Sequence, residues 1–232
     1  MRIERKESEV TFFPRMVTVV AVVFLVALAL TGSADAQERR FDLGVRFDAL
    51  TAGGEPANDM LGLGVFGRYR LDDRWRVGLG IDYSEFDLER PALIVGLPAD
   101  FSGGEVDGAA TSTTLSVWLE RVYGAGRARE WFWTAGFGGA AIDVDDVTGP
   151  LEGGGAYTLS TSFDGELGVE EVLVSVSGGL RLRVGGRSAV EIALRADQHI
   201  ADWEVVDQVS GATGRSDDYL ARGVTVGWVS RF

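Results

Sequence analysis

Val224-Thr-Val-Gly-Trp-Val-Ser-Arg-Phe232 closes the chain. Val224, Val226, Trp228, Ser230 and Phe232 share one parity of this stretch, while Thr225, Gly227 and Arg231 share the other, and Val229 is the one large apolar exception. A period of two with one apolar face is the signature of a β-strand. Chain ends are ordinarily polar and frayed, so an apolar strand that runs to the last carboxylate calls for a partner strand and an apolar surrounding.

The same period recurs upstream. Phe41, Leu43, Val45 and Phe47 alternate with Asp42, Gly44, Arg46 and Asp48. A second strand sets Leu61, Leu63, Val65, Gly67 and Tyr69 against Gly62, Gly64, Phe66, Arg68 and Arg70, and a third sets Trp75, Val77, Leu79, Ile81 and Tyr83 against Arg76, Gly78, Gly80, Asp82 and Ser84. Strands follow at Leu115–Glu120, Trp131–Asp143, Val172–Val184 and Val190–Asp197, giving eight with the closing one. Trp131–Asp143 has the weakest pattern, because Trp131, Trp133 and Phe137 favour one face while Phe132 and Ile142 occupy the other. The connections alternate long and short. The long ones, residues 49–60, 85–110, 143–171 and 202–218, carry Pro and Gly without sustained alternation and read as loops; Gly124–Glu130 reads as a short connection. In an antiparallel meander this rhythm puts every long loop at one end and both termini at the other.

At the N-terminus, the uncharged run Val17–Leu30 follows Arg2, Arg5, Lys6 and Arg15 and leads into Ala34-Asp-Ala36. It is short for a helical membrane span and reads as a secretory signal peptide, residues 1–36, cleaved before Gln37, with the start at either Met1 or Met16. The mature domain is then residues 37–232. Its formal charge stays at −13, because the leader carries as many acids as bases, and every mature base is an Arg. With no Cys, disulfides and thiolate metal sites are excluded.

Alternating strands ending on Phe232, long and short connections in turn, girdle aromatics such as Trp75 and Tyr83, and a leader together resemble the small bacterial outer-membrane β-barrels. The nearest groups are the OmpA transmembrane domain and the OmpX and OmpW proteins, over essentially residues 40–232. The resemblance implies an all-β, eight-stranded antiparallel up-and-down transmembrane barrel in the bacterial outer membrane, with short periplasmic turns and longer extracellular loops. It implies that Trp228 and Phe232 form part of a signal for the barrel-assembly machinery. Outer-membrane lipid and lipopolysaccharide are the expected surroundings, the barrel is expected to be monomeric, and no nucleic acid, cofactor or metal is expected. The chain ends on its closing strand, without the peptidoglycan-binding domain that follows in full-length OmpA-type proteins. Parity alone leaves open a soluble exported barrel of the lipocalin or avidin type, with the apolar face around a ligand; the leader, the girdle aromatics and the terminal Phe favour the membrane form.

With the apolar parity outward, the lumen collects an ionic set: Arg46, Arg68, Arg70, Arg181, Arg183 and Arg195 with Asp82, Glu120, Glu191 and Asp197, joined by Asp42, Asp48, Arg76 and Arg231. Eight strands enclose only enough space for side chains, so these charges should pair and not line an open pore; the lumen glycines, Gly62, Gly64, Gly78 and Gly80, leave gaps for water. The long loops hold well over half of the chain's 35 acidic residues, with Arg90 and Arg215 as their only bases, so the excess charge is external.

Candidates for chemistry are few. Gly62-Leu-Gly64-Val-Phe-Gly67 spells a dinucleotide fingerprint but lies inside an alternating strand without a following helix. Asp143-Val-Asp145-Asp146 begins like a calcium loop and lacks its Gly and closing Glu. His199 is the only histidine. Outer-membrane lipid A deacylases use a His-x-Ser pair where this chain has His199-Ile-Ala201, and omptin-type proteases need a larger barrel and a second acidic pair. His199 is therefore expected to be a polar lumen or rim residue, and the protein a non-enzymatic barrel with a structural or surface-interaction role. A narrow porin-like channel and a lipid-modifying enzyme are the alternatives.

Overall fold

A computed structural model describes residues 40–52, 58–87, 94–98, 101, 109–144, 147–161, 171–201 and 204–232. The proposed leader, Arg90, Asp145 and Asp146 lie outside the described residues. Eight strands form one closed antiparallel barrel: β1 (Phe41–Ala52), β2 (Asn58–Arg70), β3 (Trp75–Asp87), β5 (Ala109–Tyr123), β6 (Arg129–Val144), β9 (Glu171–Val184), β10 (Ser188–Ala201) and β13 (Tyr219–Arg231). Each pairs with its sequence neighbours in the barrel, and β13 closes the ring on β1 with Trp228 opposite Val45 and Arg231 opposite Asp42. Gly62–Gly67 lies wholly within β2, as its alternation requires.

The outer wall is apolar. Val45, Phe47, Leu61, Leu63, Val65, Val174, Val176, Ile192, Leu194, Val224 and Val226 are exposed, while Asp42, Asp48, Arg68, Asp82, Glu120, Arg181 and Asp197 are buried inside. This is the reverse of a soluble barrel, and it fixes the facing that parity left open. Trp131 and Trp228 sit exposed toward the short-turn end of their strands, Tyr83 toward the loop end, and Phe232, beyond the last paired residue, is also exposed.

The strands are longer than their alternation indicates, and the long connections are not plain loops. Short strands β4 (Ile94–Val95), β7 (Val147–Pro150), β8 (Ala156–Thr161), β11 (Glu204–Asp207) and β12 (Thr213–Ser216) build a second, five-stranded sheet in the order β4-β12-β11-β8-β7. Its hairpins turn on glycines in the left-handed region, Gly154 and Gly155 between β7 and β8 and Gly211 between β11 and β12. Because these strands are only a few residues long and interrupted by Gly and Pro, no alternation long enough to register develops in the sequence.

At the loop end the lumen is apolar. Leu50, Ala52, Met60, Phe86, Ala110, Ala140, Ile142, Val144, Tyr219 and Ala221, all on the inward parity, form one buried cluster with Phe101, Val147, Tyr157, Leu159 and Val205 from the connecting segments and the second sheet. The Phe101 and Tyr157 rings stack at 5.0 Å within it. The Arg/Asp/Glu filling expected of the lumen thus occupies its part toward the short turns: the barrel is ionic below and stoppered by hydrocarbon above.

Candidate functional site

The lumen is the part of the molecule where chemistry-bearing side chains converge, and it is layered. Nearest the short turns, Glu120 accepts from Arg68 Nη1 at 2.6 Å, Arg76 Nη1 at 3.0 Å and Arg181 Nη2 at 2.9 Å. Arg68 Nη2 also donates to Glu191 at 2.6 Å, and Arg181 bonds both Glu191 and Glu130. These residues come from β2, β3, β5, β6, β9 and β10, so the cluster ties opposite walls of the barrel together. Each carboxylate faces two or more guanidiniums, which is the condition under which charges this deeply buried can remain ionised. Arg68 lies 4.8 Å from the centre of the Phe66 ring and Arg181 5.0 Å from that of Phe132, so apolar rings pack on the faces the carboxylates leave free.

One layer higher, Arg46 forms a two-point pair with Asp82, and Arg195 bonds Asp197 at 3.0 Å and Asp48 at 3.0 Å; Asp48 also accepts from Thr225. Between the layers lies a cavity of about 60 Å³ lined by both charged and aromatic side chains, among them Arg46, Phe66, Trp118, Glu191 and Arg195, room for roughly four water molecules. Gly136 and Gly227 line it, but Gly62, Gly64, Gly78 and Gly80 do not. A Cβ on Gly78 would stand 2.2 Å from the Trp118 ring and one on Gly44 2.3 Å from Phe66, while one on Gly64 would meet Asp82 at 1.9 Å. These glycines seat aromatic rings and a carboxylate, which corrects their reading as gaps for water.

Toward the plug, His199 Nδ1 lies 2.7 Å from Glu171, the Tyr219 hydroxyl donates to both Glu171 oxygens at 3.0 Å, and the His199 and Tyr219 rings stack at 4.3 Å. His199 Nε2 is buried and has no hydrogen-bond partner among the described residues. A carboxylate that orients an imidazole is half of a catalytic constellation, but residues His199-Ile200-Ala201 supply no nucleophile beside it.

Of the ionic residues read from sequence, Arg46, Arg68, Asp82, Glu120, Arg181, Glu191, Arg195 and Asp197 meet in these two layers. Arg183 reaches Glu130 only at 3.6 Å from the half-open short-turn rim, and Arg70 makes no ion pair among the described residues. Glu130 and Glu171 were missed. Both belong to strands, not connections, and both lie on an inward parity that could have been run back, from Phe132 to Glu130 and from Ser175 through Leu173 to Glu171.

No protein-family model matches the chain, and no curated protein matches it in sequence. Among solved structures it is similar to Neisserial surface protein A, with a TM-score of 0.50 at 12% identity over 83% of this chain and 97% of that one. The chain has the fold of the small outer-membrane barrels. A major outer membrane protein from Thermus thermophilus (TM-score 0.49, 13% identity, 83% of this chain and 99% of that) and Ail, the attachment invasion locus protein of Yersinia pestis (0.47, 10%, 84% and 100%), also match.

Proposed function

We propose that this chain is a non-enzymatic outer-membrane protein whose barrel is a closed anchor and whose loop-borne sheet is the working surface, presented outside the cell for contact with other molecules. The observation that carries this reading is the lumen: among the described residues an ionic layer is tied across the barrel below and an apolar plug packs it above, while the outer wall is apolar. A filled barrel of eight strands holds a surface in place and passes little. Delivery by a leader, insertion with Trp228 and Phe232 read by the assembly machinery, and a monomeric state belong to the same proposal. The sequence His199-Ile200-Ala201, which lacks the serine of the deacylase pair, supports the non-enzymatic part of it.

Planar-bilayer recording of the refolded protein tests the closed lumen. The wild type is expected to give no stable conductance steps. Regular ohmic steps from protein that shows the heat-dependent gel mobility of a folded barrel would overturn the reading in favour of a channel.

A further inference from the structure

Arg121 stands apart from the other arginines of the barrel. It lies on the outward parity of β5, in line with Leu115, Val117 and the exposed Leu119, so it projects from the apolar wall and not into the lumen. Its neighbours in register are Trp75 on β3 and Trp133 on β6, and Tyr123 follows two residues along on the same face. These rings form a frame: Trp75 and Trp133 meet edge to face at 5.9 Å, and the Trp133 indole N–H donates to the Tyr123 hydroxyl at 3.3 Å. The Arg121 guanidinium sits 5.2 Å from the centre of the Trp75 ring and 5.3 Å from that of Tyr123. Its Nε is buried without a hydrogen-bond partner, and it makes no ion pair among the described residues. Asp72, in the adjacent turn, is engaged by the backbone amides of Arg74 and Trp75 at 2.6 Å and 2.8 Å.

A fixed, unpaired cation on an apolar wall needs an anion from its surroundings. Ring faces attract the guanidinium but leave its charge intact, and they hold its planar fork in one orientation. A fork of that kind matches the oxygens of a phosphate group. From it toward the middle of the wall run Val77, Leu119 and Phe137, an exposed apolar strip suited to the acyl chains that a lipid carries and a free phosphate ion lacks. Resting on the outer-membrane reading above, we propose that Arg121, framed by Trp75, Tyr123 and Trp133, binds the phosphodiester of a phospholipid in the leaflet at the short-turn end.

Native mass spectrometry of the detergent-solubilised full chain with phosphatidylglycerol tests this. Arg121→Leu suits an apolar wall and leaves the fold intact by heat-dependent gel mobility, so it isolates the site. The expected result is about tenfold weaker retention of phosphatidylglycerol by Arg121→Leu, about 1.4 kcal/mol, with an intermediate loss for Arg121→Lys, which keeps the charge and loses the fork. Diacylglycerol of the same chain length should bind both proteins equally, and glycerophosphate should not displace the lipid. Equal phosphatidylglycerol binding by wild type and Arg121→Leu would overturn the proposal, and displacement by glycerophosphate would reassign the site to free anions. A chain that stays in buffer without detergent and takes up neither lipid would instead overturn the membrane reading.

Discussion

The two halves of the barrel interior solve one problem in opposite ways. Toward the short turns, Glu120, Glu130 and Glu191 are buried with Arg68, Arg76 and Arg181, and stability depends on every charge finding its partner. Toward the loops, Leu50, Met60, Phe86, Ile142 and Tyr157 are buried with one another and depend on shape, with Glu171, His199 and Tyr219 as a hydrogen-bonded group beside them. An ionic filling fails sharply when one member is lost, because the survivors become uncompensated charges in a medium of low dielectric. An apolar filling fails by degrees, in proportion to the volume removed.

The contrast would be broken if both halves responded alike. The largest effect is expected from Glu120→Ala, which takes from three guanidiniums the carboxylate they share and should cost about 3–5 kcal/mol by urea titration of the refolded barrel. Met60→Ala in the plug should cost about 2–5 kcal/mol and be the smaller loss of the two; a plug variant that proves the more damaging would show that the upper half carries the fold. Gly78→Ala pushes a methyl group into Trp118, where the gap is 2.2 Å, and overpacking of this kind costs about 1–3 kcal/mol. Gly178→Ala on the exposed face, with its closest neighbour 3.8 Å away, should leave the same urea midpoint unmoved.

A smaller, local effect lies in the second sheet. Burial pushes the Asp207 carboxyl up, but hydrogen bonds from the Ser210 hydroxyl and from the amides of Thr158 and Ser210 outweigh it and hold the group below its ordinary value of 3.8. A carboxyl with a depressed folded pKa contributes stability above its unfolded pKa and loses it as pH falls through the folded one. Acidification below pH 3.8 should therefore speed hydrogen exchange at the Thr158 and Ser210 amides while the barrel amides stay protected. Asp207→Asn should produce the same loosening at neutral pH, by about 1 kcal/mol. Protection that does not change in either case would remove Asp207 as the link between β8 and β11.

The ionic half was legible in the sequence because polar lumen and apolar wall alternate, so each strand announces both its period and its facing. Val172 to Val184 reads cleanly for that reason. The apolar half was not, because apolar lumen behind apolar wall erases the alternation: Leu50 follows Ala49, and Ile142 follows Ala141. The same loss of contrast shortened the apparent strands and sent Glu130 and Glu171 into connections. Nothing local in the sequence brings Arg121 between Trp75 and Trp133, since that meeting depends on the register of three strands.

Strand length carries a consequence for reach. Strands of 12 to 16 residues rise about 3.4 Å per residue, so one of 13 residues tilted by about 40° stands roughly 34 Å tall against an apolar band of about 25 Å. In an outer membrane the surplus lifts the barrel rim clear of the hydrocarbon. The second sheet then rides on a rigid collar packed from within by the plug, at a height fixed by hydrogen-bonded backbone. Shortening paired strands by two residues each would lower that platform without altering a residue upon it.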